Sequence, residues 1–344
     1  MPDEQTIDHL LAQWEDARSQ GQSVSVEELG ASSPGLLPEL KARIEQLKAM
    51  DWLDAEVEAP PWTGEPNSPA RSPDDGPGLG VKIPARLGGR YQLESLVAEG
   101  GFGQVWRATD NALERPVAIK VTTVDCYAEA RRVAQLKHHG IVSVHDVGNQ
   151  DGVCYIVFDL VEGITLADRI KQGPLAWRES VRIVAEVTEY VHHAHEKGFI
   201  HRDIKPANIL LDGKGKPVLA DFGIAVTECE LRHEAVTSVG TLAYMSPEQL
   251  TLKGAIDRRT DVYGLGAVLY ELLTGRLPFT DRTVTGIRQK ILAGGPESPR
   301  QLNPSVPTGL ESICLKCLST AAADRYATAE ELSTELKRLL GSAS

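Results

Sequence analysis

What most constrains the fold of this chain is the polar run His201-Arg202-Asp203-Ile204-Lys205-Pro206-Ala207-Asn208, which ends an apolar helical period and leads into the strand-like Ile209-Leu210-Leu211. The loop has to sit where a helix hands over to a strand, and it carries three chemistries within six residues. Asp203 can accept a hydroxyl proton, Lys205 can neutralise a phosphoryl group, and Asn208 can ligate a divalent cation through its amide oxygen. Thirteen residues after Asn208 comes Asp221-Phe222-Gly223, where a carboxylate at a strand end followed by glycine suits the same cation. The ordered succession, more than either motif alone, points to a phosphate-handling site.

A second set of residues upstream fits that site. The stretch LVAEGGFGQVW at 96–106 places a glycine cluster between two strand-like runs. Backbone without Cβ atoms can approach phosphates closely and aim its N–H groups at them, although the same pattern also describes an ordinary tight hairpin. The strand Val117-Ala118-Ile119-Lys120 follows about a dozen residues later. Its lysine can hold phosphate oxygens, and the small Ala118 leaves room for a purine ring. A buried cation beside phosphates needs a carboxylate to fix its position, and the first helical candidate is Glu129.

Periodicity sets the organisation around these motifs. Alternating and β-branched runs from Tyr91 to Val97, Gln104 to Ala108, Val117 to Thr122, Ile141 to Val147 and Val153 to Asp159 predict a mostly antiparallel sheet of about five strands. After Gly163, long helical periods take over, notably Ser180 to Lys197 and Asp261 to Thr274. The fold class is therefore α+β, a small β-rich lobe preceding a larger helical one. Residues 1–58 read as a helical segment: Ile7, Leu10, Leu11 and Trp14 recur in helical spacing, as do Leu37, Leu40, Ile44 and Leu47, with Ser33-Pro34 as an N-cap and first-turn pair. Residues 59–86 read as an extended linker, with seven prolines between Ala59 and Pro84. The main unit spans 87–340.

Composition narrows the partners. A net charge of -12 argues against a nucleic-acid or anionic-membrane surface and leaves proteins as the expected macromolecular partners. The N-terminus has no basic stretch followed by an apolar one, and no apolar run approaches the ~18 residues a membrane helix needs. Cys126, Cys154, Cys229, Cys314 and Cys317 are scattered and odd in number, which reads as a reducing, cytoplasmic setting rather than a disulfide framework. Cys314 and Cys317 have metal-ligand spacing, but their apolar neighbours Ile313, Leu315 and Leu318 place them on a helix against a core.

Taken together, the motifs resemble those of the eukaryotic-type (Hanks-type) serine/threonine protein kinases, over roughly residues 87–340. The resemblance implies a two-lobed kinase fold, ATP and Mg²⁺ (with Mn²⁺ as an alternative) as cofactors, and protein serine or threonine hydroxyls as acceptors. It implies Asp203 as catalytic base, Lys205 as phosphate-binding lysine, Lys120 with Glu129 as ion pair, and Asn208 and Asp221 as metal ligands. Gly100, Gly101, Gly103, Val97 and Val105 would cover the nucleotide, with Ala118 and Leu210 against the base. Phe158 would be the gatekeeper, and Asp159 to Val161 the hinge. Ser246-Pro247-Glu248 matches the family's Ala-Pro-Glu, Arg325 is placed to pair with Glu248, and Asp261 matches the residue that anchors the catalytic loop. The motif style, HRDIKPANIL and GTLAYMSPEQ, is similar to that of kinases from planctomycete-type bacteria.

Two departures stand out. Ala98 holds the first glycine position of the phosphate loop, and only nine positions separate Lys120 from Glu129, where the family uses a longer gap. A short tether would either hold the helix inward or leave it too short to form. Arg202, beside Asp203, implies neutralisation by a phosphorylated activation segment, with Thr237 or Ser238 as the expected site; Thr227 is a further hydroxyl, and Gly240-Thr241 fits the serine/threonine branch. The rival readings are a nucleotide-binding scaffold and a small-molecule kinase. A dimer through residues 1–58 stays open.

Overall fold

A computed structural model of the chain describes residues 36, 37, 41, 83–100, 103–222, 242–251, 256–281 and 283–342, with the side chains of Glu129, Val284 and Ser342 outside the description. The chain separates into residues 1–62 and 63–344. Of the first unit only Leu36, Leu37 and Lys41 are described, so the helices expected in 1–58 and nearly all of the linker lie outside the described residues. The linker ends earlier than its composition suggests. Ile83 is buried beside Leu87, and Pro84 separates it from a first short strand.

Six strands form one antiparallel sheet: β1 (Arg86–Leu87), β2 (Tyr91–Gly100), β3 (Gly103–Asp110), β4 (Arg115–Thr122), β5 (Val144–Gln150) and β6 (Val153–Asp159), ordered β1-β2-β3-β4-β6-β5. The period-two pattern explains the register. On β4, Val117, Ile119 and Val121 pack with Leu87, Tyr91, Trp106 and Tyr155, while Ala118 belongs to the opposite face with Phe158. Strand β6 is buried on both sides, with Val153, Tyr155 and Val157 in one cluster and Cys154, Ile156 and Phe158 in the other. A slip of one residue would put Lys120 into the apolar cluster, so the sheet fixes which way that lysine points.

The helix α1 (Tyr127–Val133) follows β4 after a short loop. Its N-cap, Cys126, has no side-chain cap; its N–H donates to Cys154 Sγ at 3.4 Å, and the two sulfurs are joined in a disulfide. The scattered cysteine spacing concealed this pair, because the 28-residue separation is closed by the helix start lying against β6; the cysteines therefore give no argument for a reducing setting, contrary to the reading of their spacing. Ile141 to Ser143 also differ from expectation. They precede β5 because their backbone pairs elsewhere: Val142 N–H donates to the Leu219 carbonyl at 2.9 Å and Leu219 N–H to the Gly140 carbonyl at 2.8 Å.

The larger lobe holds a second sheet, β7 (Gly163–Thr165), β8 (Ile209–Asp212) and β9 (Pro217–Leu219), and the helices α2 (Leu166–Lys171), α3 (Trp177–Glu196), α4 (Pro247–Thr251), α5 (Arg259–Thr274), α6 (Val284–Ala293), α7 (Pro299–Leu302), α8 (Thr308–Cys317) and α9 (Ala329–Ser342). Helix α5 is apolar on all sides and buried almost throughout from Thr260 to Leu273, which makes it the central post of the lobe. Each fully buried leucine or valine on it contributes about 1.5–3 kcal/mol. The helix stops at Gly275, whose φ of +69° only glycine adopts readily. Cys314 and Cys317 lie buried on α8; burial raises both thiols, that of Cys317 to about 12, so they act as small apolar side chains. Among the described residues no helix is long and apolar enough to cross a membrane.

Candidate active site

The polar loop after α3 is shaped from below by Asp261, in the first turn of α5. Its carboxylate is fully buried and accepts from the N–H of His201 (2.8 Å) and of Arg202 (2.7 Å), with His195 Nε2 at 2.7 Å. A buried charge persists only when its lone pairs are so engaged. The same bonds hold Arg202 at φ +67°, a conformation costly for a side-chain-bearing residue. His201 completes the frame, its Nε2 3.0 Å from the Ala220 carbonyl and its ring against Phe222.

Asp203 projects from this frame. Its Oδ2 lies 2.9 Å from Asn208 Nδ2 and 2.8 Å from Lys205 Nζ, and Asn208 Nδ2 also donates to the Asp203 carbonyl at 2.8 Å. With the amide nitrogen so directed, the amide oxygen of Asn208 is the atom left to face a cation. Ala220 N–H donates to the Asn208 carbonyl at 2.9 Å, which sets Asp221 beside that asparagine. Asp221 has φ +53° and an ion pair from Oδ1 to Lys120 Nζ at 3.0 Å. Its crowded surroundings oppose ionisation, but Lys120, with His201 and Lys205 behind it, outweighs them and lowers its pKa.

Above the cleft, β2 and β3 meet at paired Gly100 and Gly103. Gly103 has φ +121°, and a Cβ there would stand 2.1 Å from the Val121 carbonyl oxygen, so only glycine lets this hairpin lie against β4. Val105 pairs with Ala98 on one side and Lys120 on the other; Ala118 faces Phe158 across β4 and β6. Val97 is exposed, while Leu210 on β8 and Val161 are partly buried against the core. Asp159 N–H is engaged by the Ser143 carbonyl at 3.1 Å, which leaves any base contact from Asp159 to its carbonyl.

Some expected residues are not placed. Glu129 lies on α1, but its side chain is outside the described residues, and the described partner of Lys120 is Asp221. Gly101, Gly223, Thr227, Thr237, Ser238, Gly240 and Thr241 are also outside them. The Ser246-Pro247-Glu248 segment is described: Arg325, fully buried, grips Glu248 with two bonds of 2.7 and 2.8 Å and also donates to the carbonyls of Ser319 and Thr320. Sequence reasoning missed His195 and the bond from Tyr244 to Glu271 (2.5 Å), whose carboxyl is raised by burial. The spacing from His195 to Asp261 follows no local period, so only the resemblance could have signalled it.

The donor set suits a nucleotide and its cation. Two oxygen ligands, Asn208 and Asp221, are the hard donors Mg²⁺ prefers, and lysines flank them from both sides of the cleft. Residues 91–336 match the family described as the protein kinase domain. The serine/threonine-protein kinase PrkC of Bacillus subtilis is 39% identical over 268 residues, covering 74% of this chain and 41% of that protein. PknB of Mycobacterium leprae is 35% identical over 276 residues, covering 75% and 44%. The chain thus matches less than half the length of these relatives. The crystal structure of the Mycobacterium tuberculosis PknI kinase domain aligns with a TM-score of 0.58 at 27% identity, over 72% of this chain and 94% of that one.

Proposed function

Because this chain belongs to the eukaryotic-type serine/threonine protein kinase family, we propose that it transfers the γ-phosphoryl group of ATP to serine and threonine hydroxyls of proteins. The observation that carries the reading is the Asp203 carboxylate held between Asn208 and Lys205 on a loop braced by Asp261. Mg-ATP, when bound, supplies the phosphoryl group and the cation charge that neutralises it. Asp203 orients the incoming hydroxyl and takes its proton; Lys205 offsets the charge building on the transferred group. Asn208 and Asp221 would hold Mg²⁺, or Mn²⁺ in its place, and Lys120 would turn from Asp221 to the phosphates, with Glu129 as its second carboxylate. Val97, Val105, Ala118 and Leu210 would enclose the base, and the hinge from Asp159 to Val161 would bind its edge.

Protein substrates follow from the segment around Ser246-Pro247-Glu248, a ledge a small-molecule kinase does not need. We place the catalytic unit in the cytoplasm, where ATP is available, and assign it no nucleic-acid partner, given its charge of -12. Thr237 or Ser238 is the proposed autophosphorylation site, and residues 1–58 are proposed as a docking or dimerising segment. Transfer of labelled phosphate from Mg-ATP to the chain and to a generic peptide tests the reading. Asp203→Asn should lower the rate about 10²–10⁴-fold, with label recovered as phosphoserine and phosphothreonine. Nucleotide binding without Asp203-dependent transfer would replace the enzyme with a scaffold.

A further inference from the structure

The sequence Ser246-Pro247-Glu248-Gln249 opens helix α4 with the glutamine half of a capping box. Gln249 N–H donates to the Ser246 carbonyl at 3.0 Å, and Gln249 Oε1 reaches back to accept from Ser246 N–H (3.0 Å) and Ser246 O–H (3.1 Å). Either glutamate or glutamine serves at this position of a capping box, since only an acceptor is required. The other half of this amide does something a glutamate cannot. Gln249 Nε2 donates to the carbonyl of Arg202 at 2.8 Å, 47 residues away, and the side chain is 7% exposed.

That carbonyl belongs to the peptide that carries Asp203. The N–H of the same peptide unit lies 3.3 Å from His201 Nδ1, and the preceding N–H, of Arg202, is held by Asp261. Arg202 sits at φ +67°, a costly conformation that persists only where the surroundings hold its peptides in place. Asp261 supplies the restraint from the helix core. Gln249 supplies it from the substrate ledge.

We infer that Gln249 is a positioning residue for phosphoryl transfer: its amide nitrogen fixes the Arg202–Asp203 peptide and so ties the aim of the catalytic carboxylate to the seating of the Ser246-Pro247-Glu248 segment. The inference rests on the kinase reading above and adds to it the residue that couples ledge to base. It explains why this position carries an amide, and it predicts a defect in turnover with the cap intact.

The test compares wild type with Gln249→Glu in steady-state phosphorylation of a serine peptide, from about pH 8 to about pH 6, alongside thermal unfolding midpoints. The substitution keeps the cap acceptor and removes the donor to Arg202. At the upper pH, kcat should fall about tenfold, with KM for ATP and peptide within about twofold and a midpoint near wild type. As pH falls and the introduced carboxyl, itself buried, takes up a proton, it donates again, and the ratio to wild-type kcat should recover. Gln249→Met lacks both donor and acceptor; its kcat should fall without recovery at low pH, which keeps the test valid if the glutamate variant fails to fold. Wild-type kcat in either variant, a change confined to peptide KM, or a loss that only follows the unfolded fraction would overturn the assignment. Absence of Asp203-dependent transfer in wild type would overturn the kinase reading itself.

Discussion

The floor and the roof of the cleft are held by different means. Beneath it, Asp261 accepts three bonds without any exposure to solvent, and Arg325 shares its guanidinium among Glu248 and several carbonyls. Above it, Lys120 meets Asp221 at 3.0 Å, and the seven-residue helix α1 is tied to the sheet at its start by Cys126–Cys154. Buried polar groups engaged as those of Asp261 and Arg325 are fix geometry before a substrate arrives and need little reorganisation during reaction. A partly exposed ion pair can exchange partners. The chain thus holds the loop that carries Asp203 rigid and leaves Lys120 adjustable.

The largest expected effect lies in the floor. Arg325→Leu leaves Glu248 without its counter-ion in a largely buried site and should cost about 3–5 kcal/mol, read as a lower urea midpoint. An unchanged midpoint would break the contrast at its strongest point. In the roof, replacing Cys126 and Cys154 by serine releases a loop closed over 28 residues, and chain entropy sets the loss at about 3.5 kcal/mol. A loss below about 1 kcal/mol would show that packing alone seats α1. Lys120→Met should raise KM for ATP about tenfold or more while shifting stability by under about 1 kcal/mol, because solvent screens its partly exposed partner.

Acid should separate the two regions in order. His138, in the segment between α1 and β5, stacks on His139, His193 and Tyr190, with Lys216 also facing it; burial and these cations lower its pKa below its ordinary 6.5. A lowered histidine stabilises the fold above its ordinary pKa, and that contribution is lost as pH falls through the folded value. Burial opposes ionisation of Glu248, but Arg325 and Thr260 outweigh it and the carboxyl is lowered from 4.5, so its contribution survives until pH drops below that value. Stability measured against pH should therefore decline first through His138, a step that His138→Asn removes. The smallest effect belongs to Ala98→Gly, expected to change nucleotide affinity by less than about fivefold.

What the sequence could reveal follows the same division. Asp203, Lys205 and Asn208 were legible because they fall within one loop, where spacing along the chain is spacing in space. The alternation of Val117, Ile119 and Val121 with Ala118 and Lys120 on β4 also carries the direction of that lysine, although only the sheet showed it. Contacts closed by tertiary folding left no local trace: Lys120 finds Asp221 across 101 positions, and Cys126 finds Cys154 only because a helix start abuts β6. The pairing of Arg325 with Glu248 was readable through family resemblance alone. Gln249 lay in plain view as the fourth residue of a capping box, yet its second bond needed the fold to bring Arg202 beside it.

Amide hydrogen exchange of the free chain and of its complex with Mg-ATP tests the contrast most directly. The N–H groups of His201 and Arg202, bonded to Asp261, should exchange slowly in the free chain and change little on binding, while amides of β2 and β3 gain protection. Fast exchange at His201 and Arg202 that slows only when nucleotide binds would contradict a catalytic loop set in advance.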